Sequence, residues 1–166
     1  MLKKININDL KQSATKLIGK DWMLVTAGNT ESCNTMTASW GGLGELWNRP
    51  VAFIFVRPTR YTYEFIEREN FFTLSFFEEK HRKTLQLCGT ISGRKSDKIA
   101  ESGLTPVASD NGSVFFQEAK LVLECKKLYF ADLNPENFLD QNLEKHYPHK
   151  DYHRVYVAEI VNTYAK

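Results

Sequence analysis

Apolar residues recur at every second position through much of this chain, which is the spacing of half-buried strands. Ala119, Leu121, Leu123 and Cys125 alternate with polar or smaller residues and predict a long strand over 118–130. Trp22 to Ala27 is apolar and runs into Gly28-Asn29-Thr30, a turn signal, after which Cys33 to Trp40 resumes with small and hydroxylated residues. Residues 22–40 therefore read as a hairpin. Val51 to Val56 follows Pro50 as a buried strand, Phe71 to Phe77 as a Phe-rich one, and Val155 to Val161 as the closing strand. The glycines Gly41, Gly42 and Gly44 interrupt the pattern and predict a loop.

Elsewhere the period lengthens. Tyr61, Phe65 and Ile66 fall at helical spacing within 59–70, with Thr59 as the expected N-cap. Helices are also expected over 8–18, capped by Asn8 or Asp9, over 79–87, and over 96–101, stopped by Gly103. Asp110-Asn111-Gly112 is a hairpin turn within 105–116, and 131–151 reads as an acidic loop. Six or seven strands without regular βαβ alternation predict a mainly β fold. The expectation is an antiparallel barrel or sandwich with helical insertions, not a doubly wound sheet.

Composition narrows the function classes. The 166 residues correspond to a single domain, and 42% hydrophobic with 25% charged residues is a folding composition. A net charge of +2 does not suit a nucleic-acid binder. The longest pure apolar run, Val51 to Val56, is far short of a membrane span. No apolar stretch follows the basic start, so a secretory signal is not expected, and a cytoplasmic location is. Cys33, Cys88 and Cys125 then read as reduced thiols, Cys33 and Cys125 in strands and Cys88 beside a basic loop that could make it more reactive. Aromatics are plentiful, with 11 Phe, 7 Tyr and 3 Trp. They suit strands, cores and flat ligands alike.

Three segments carry candidate chemistry. Asn34-Thr35-Met36-Thr37-Ala38-Ser39 is a small, polar strand end against which a planar ligand could lie; the plain alternative is a Thr-rich strand. Arg57-Pro58-Thr59-Arg60-Tyr61-Thr62 joins a buried strand to a helix start, where free N–H groups and the helix dipole favour an anion. The alternative there is a capped helix whose arginines pair with Glu64 and Glu67. Cys88 to Lys98 adds glycines, hydroxyls and cations in a stretch where Lys80, Arg82, Lys83, Arg94, Lys95 and Lys98 face only Asp97. It lacks the Gly-Lys-Ser/Thr of a Walker loop. His81, His146, His149 and His153 match no metal-ligand pattern and read as surface or loop residues.

Together these segments resemble, in order, the motifs of the flavin reductase-like family, in its flavoredoxin-type branch. They are Asn34–Trp40, Val56–Thr62 and Cys88-Gly89-x-x-Ser92-Gly93-Arg94-x-x-Asp97-Lys98. Asp151 to Ile160 is similar to the family's closing strand, with Ala158 where members often carry Gly. The resemblance implies an FMN-binding split barrel, an antiparallel Greek-key barrel that forms a homodimer with FMN near the interface. It places Asn34, Thr35, Met36, Thr37, Ala38 and Ser39 along the isoalloxazine, mostly through backbone groups. Arg57, Pro58, Arg60, Tyr61 and Thr62 would surround the ribityl chain and phosphate, and Ser92 and Lys98 would complete the anion site.

What the resemblance implies for activity is an FMN-dependent oxidoreductase. Its donor is NADH or NADPH, delivering hydride to flavin N5, and its small redox acceptor is unnamed. The cofactor carries the hard chemistry, so no side chain is assigned as acid or base and no metal is expected. The alternatives are a non-catalytic flavin- or haem-binding protein on the same barrel and a pyridoxamine-phosphate oxidase-like enzyme. Phe53, Phe55, Phe72 and Phe76 are expected in barrel strands. Tyr61, Trp40 and Trp47 lie beside the proposed flavin segments, with core filling the expected role of the two tryptophans.

Overall fold

The computed structural model describes residues 2–166. Its strands are β1 (Lys3–Ile5), β2 (Met23–Gly28), β3 (Cys33–Ala38), β4 (Gly41–Leu46), β5 (Arg49–Val56), β6 (Phe71–Phe76), β7 (Pro106–Ala108), β8 (Val114–Phe116), β9 (Leu121–Asp132) and β10 (Arg154–Ala165). The α-helices are α1 (Tyr61–Arg68), α2 (Arg82–Thr90) and α3 (Lys98–Ser102). The main sheet is antiparallel in the order β3-β2-β6-β9-β10-β5-β4, with β1 added beside β10. Its two end strands, β3 and β4, are neighbours in sequence, separated only by Ser39 and Trp40. Laid flat, such a sheet would hold them apart by six strand spacings of about 4.8 Å, roughly 29 Å. The short link spans only about 10 Å, so the sheet must roll until the ends approach. They do not pair, and the barrel stays split at that seam.

The period-2 pattern explains the core. Val25, Leu74 and Leu123 are directly opposed across β2, β6 and β9, and all are fully buried inside the roll. Ile54, Tyr156 and Ala158 continue the same interior from β5 and β10. The opposite face of β2 and β9 is buried too. There Leu24 and Val122 meet Leu85 and Cys88 of α2 and Phe115 and Phe116 around β8. Thr73 donates to the Val114 carbonyl and seats β8 against β6. Buried Glu124 accepts from Ser109, Asn111 and Asn162, which pins the turn of the β7–β8 hairpin. Asn111-Gly112 forms that turn as expected, with Gly112 at φ 79°.

Several elements depart from the sequence pattern. Gly41, Gly42 and Gly44 lie in β4, not in a loop. At Gly41 glycine is required, since its φ is 154° and a Cβ would come within 2.6 Å of the Phe53 carbonyl oxygen, whereas a Cβ on Gly42 or Gly44 would make ordinary contact with the Phe53 ring. The expected helix over 8–18 is a 3-10 turn at Ile7–Asp9, capped by the Asn6 side chain, followed by a π-helical stretch at Thr15–Asp21. Helix α1 is capped by Arg60 in extended conformation and not by the Thr59 side chain. Phe72 and Phe76 fill the interior, whereas Phe53 and Phe55 lie on the other face of β5, half-buried. No helix among the described residues is long and apolar enough to cross a membrane.

Candidate functional site

Two of the three candidate segments meet at one corner. β5 ends at Val56, the chain turns through a bond from Arg60 N–H to the Arg57 carbonyl, and α1 begins at Tyr61. Across from it α2 ends at Thr90, and the loop 91–97 delivers Lys98 at the start of α3. A cavity of about 200 Å³ lies between them, bounded by Arg60, Tyr61, Thr62, Thr90, Ser92 and Lys98.

The electrostatics of this corner are unbalanced. Lys98 is 3% exposed, and its ammonium donates to the carbonyls of Cys88 and Ile91, each at 3.0 Å. An ammonium has three N–H donors, so one remains for a ligand. Burial, and then the charge of Arg60, push the Lys98 pKa down to about 8. Burial, and then Arg57, also lower the pKa of Arg60. Among the described residues no carboxylate pairs with Arg60 or Lys98, and the Arg60 guanidinium makes no hydrogen bond. Sheltered cations without a counter-ion favour an anion between them. The N-terminus of α1, which no side chain caps, points the same way.

The third segment supplies a flat wall. β3 pairs only with β2, so alternate backbone groups on its outer edge are free of the sheet ladder. Along it lies a cleft of about 170 Å³ bounded by Met36, Ala38, Ser39, Phe55, Arg57 and His153. Arg60 borders this cleft as well as the anion corner and connects the two. The β3 hydroxyls are largely committed elsewhere. Thr35 is fully buried and bonded to Thr26 (2.8 Å), and Thr37 donates to the Leu85 carbonyl. Asn34 donates to Thr62 (2.7 Å) and packs under Gly93, where a Cβ would come within 2.1 Å of its Oδ1. What β3 offers a planar ligand is therefore backbone and small side chains.

Arg57 borders the cleft with its guanidinium already engaged. It pairs with Asp151 at 2.7 Å and donates to the His146 carbonyl at 2.7 Å. Pro58 is exposed and borders neither cavity. Arg94 pairs with Glu64 and lies over Tyr61, so it closes the outside of the corner. Cys88 and Cys125 are fully buried, and burial raises both thiol pKa values, so Cys88 is a packed thiol and not a reactive one.

The sequence reading missed His153. It is 7% exposed, bonded through Nδ1 to the Tyr147 hydroxyl at 2.8 Å, and its ring faces Trp40 at 5.3 Å. Burial, and then Arg57, lower its pKa to about 4, so it is neutral near pH 7. Its position just before the closing strand β10 was the available signal. Trp40 and Trp47 are 46% and 55% exposed, so neither fills the core.

Known proteins share this architecture. The model of the flavin reductase like domain matches residues 16–166. No curated protein matches the chain. Among solved structures, an FMN-binding domain of flavin reductases-like enzyme from Shewanella baltica superposes with a TM-score of 0.72 at 18% identity, covering 99% of this chain and 77% of that one. Flavoredoxin from Methanosarcina acetivorans gives 0.68 at 23% identity, with 99% and 75% covered. An NADH:FAD oxidoreductase from Streptomyces globisporus gives 0.65 at 17% identity, with 86% and 73% covered. At these identities the superpositions establish a common fold.

Proposed function

This chain belongs to the flavin reductase-like family, and from that premise we propose that it is an FMN-binding oxidoreductase driven by NADH or NADPH. The observation that carries the proposal is the pair Arg60 and Lys98. These sheltered cations lack a carboxylate and stand where an anion cavity joins a flat cleft along an open strand edge. FMN has that shape and charge, a planar ring joined to a phosphate.

Arg60, the free N–H of Lys98, the Ser92 hydroxyl and the first N–H groups of α1 would hold the phosphate. Backbone groups of residues 36–39 would hold the ring edge, and Phe55 and neutral His153 would wall the cleft. Bound FMN would supply two-electron redox chemistry, exchanged with a nicotinamide on one side and an acceptor on the other. The chain's own work is positional. Arg60 and Lys98 set the register of the ligand, β3 orients the ring, and the aromatic walls limit water. No side chain at the cleft has to act as an acid or base for this.

The proposal includes a homodimer. Trp47, Tyr129 and Phe130 stay more than half exposed, and the Trp47 and Tyr129 rings meet edge to face with their centres 6.3 Å apart. Exposed aromatic clusters of this kind mark interfaces. The test of the whole reading is the visible spectrum of the purified protein under nitrogen. Flavin bands that NADH or NADPH bleaches are expected. A colourless protein that FMN does not stabilise against heat removes the proposal.

A further inference from the structure

The connection between β9 and β10, residues 133–153, is a strap without α-helix whose last residue, His153, walls the cleft. It is held by its own 3-10 turns at Pro135–Asn137 and Gln141–His146. Its aromatic residues pack on one another: Phe138 stacks on Tyr147 at 5.9 Å, and Tyr147 lies 4.9 Å from Tyr152. Its other side-chain bonds are internal, Tyr152 to Glu144 and Tyr147 to His153.

A single outside residue ties the strap down through hydrogen bonds. Arg57 Nη1 donates to Asp151, Nη2 donates to the His146 carbonyl, and the guanidinium lies 4.9 Å from the centre of the Tyr147 ring. Among the described residues no other side chain from outside bonds to residues 133–153. The remaining support is aromatic, from Trp40 against His146 and His153 and from Phe55 against His153. The pair Arg57–Asp151 is sheltered, at 24% and 17% side-chain exposure, and one planar fork engages both partners. With the strap held this way the cleft measures about 170 Å³. Sites that enclose small ligands usually run from about 300 to 1,000 Å³. This cleft is smaller than that, and two of its walls, Arg57 and His153, are the tie and the end of the strap, so room for a ring system is gained where the strap moves away.

We propose that Arg57 is a positioning residue that latches the 133–153 strap beside the ring cleft, with His153 as the cleft wall, and that release of this latch sets the rate of flavin exchange. This rests on the flavin reading of the site. It deepens that reading in one respect: the chain retains FMN through turnover as a resident cofactor instead of passing it through as a diffusing substrate. It also separates Arg57 from Arg60, which faces the anion corner without an acidic partner.

Two variants test the latch, Arg57→Ala and Asp151→Asn, the second removing the charge of the strap's partner with almost no change in shape. The first measurement is the rate of tryptic cleavage at Lys145 and Lys150, both exposed on the strap. The second is the release rate of FMN and of riboflavin from the loaded protein, followed by flavin fluorescence. Both variants are expected to speed cleavage about tenfold, and to speed release of FMN and riboflavin alike by about tenfold, equivalent to about 1.4 kcal/mol of latch. Unchanged cleavage in both variants overturns the latch. So does an Arg57→Ala protein that loses FMN faster but not riboflavin while Asp151→Asn behaves as wild type, because Arg57 would then be a phosphate ligand. If the wild type binds neither flavin, the functional reading fails separately, and the cleavage rates still decide the latch.

Discussion

Arg57 and Arg60 lie three residues apart in the same short segment, yet they sit in opposite electrostatic situations. Arg57 has a carboxylate at 2.7 Å and a carbonyl at 2.7 Å, whereas Arg60 has neither and shares its cavity with a second cation, Lys98. The first arrangement is satisfied and mechanical, tying one piece of chain to another. The second is unsatisfied until an anion arrives. Residue type and spacing are the same for both, so the partner supplied by the fold decides the role.

The largest expected effect falls on the unsatisfied side. Arg60→Ala removes a charge-assisted bond to the ligand phosphate, worth about 1.5–3 kcal/mol, so FMN affinity should fall roughly 10- to 100-fold. Riboflavin affinity should change little. Isothermal titration with both ligands reads the difference, and an equal loss for both would place Arg60 away from the phosphate.

Gly93→Ala probes how tightly the corner is built. Its Cβ would come within 2.1 Å of Asn34 Oδ1 and 3.0 Å of Tyr61 Cδ1. Overpacking of this kind costs about 1–3 kcal/mol. The melting temperature should drop, and FMN affinity should drop with it, because Asn34 holds Thr62 at the helix start. A variant as stable and as tight-binding as wild type would show that the loop yields freely.

A third effect is set by pH. The Lys98 pKa stands near 8 because burial, and then Arg60, disfavour its charge. A phosphate prefers the protonated ammonium, so FMN affinity should decline as pH rises above about 8, while riboflavin affinity should not. The same lowered value means that the ligand-free fold gains stability as pH rises from about 8 towards the ordinary lysine value, since the unfolded chain binds the extra proton there. Flat FMN affinity from pH 7 to 10 would take Lys98 out of the site. The smallest effect is at His153, whose pKa near 4 lies below its ordinary value of 6.5. Stability should fall as pH drops through that interval, and His153→Gln should flatten the fall in a series of thermal melts.

These contrasts mark what could be read from the sequence. Strands whose alternate residues enter the interior, such as β9 with Leu121, Leu123 and Cys125, were legible because burial on one face imposes period 2. β4 was not, because Gly41 is dictated by the close approach of the Phe53 carbonyl on the neighbouring strand, a tertiary reason that local pattern does not encode. The anion segments were legible as a set of cations and hydroxyls near a helix start. The division of labour among them was not, since Asp151 lies 94 residues from Arg57 and only folding brings it there. His153 was passed over for the same reason: its burial depends on Trp40 and Tyr147, and its sequence neighbours are polar or exposed.

The most direct test is a paired titration of FMN and riboflavin into the wild-type protein and into the Arg60→Ala, Lys98→Met double variant at pH 7. A flavin phosphate held between these cations predicts that the wild type binds FMN at least about tenfold more tightly than riboflavin, with each charge-assisted bond worth more than about 1.4 kcal/mol. It also predicts that the double variant loses most of this preference, keeping only what Ser92 and the start of α1 supply. Equal affinities in the wild type, or a preference for FMN that is undiminished in the double variant, would contradict it.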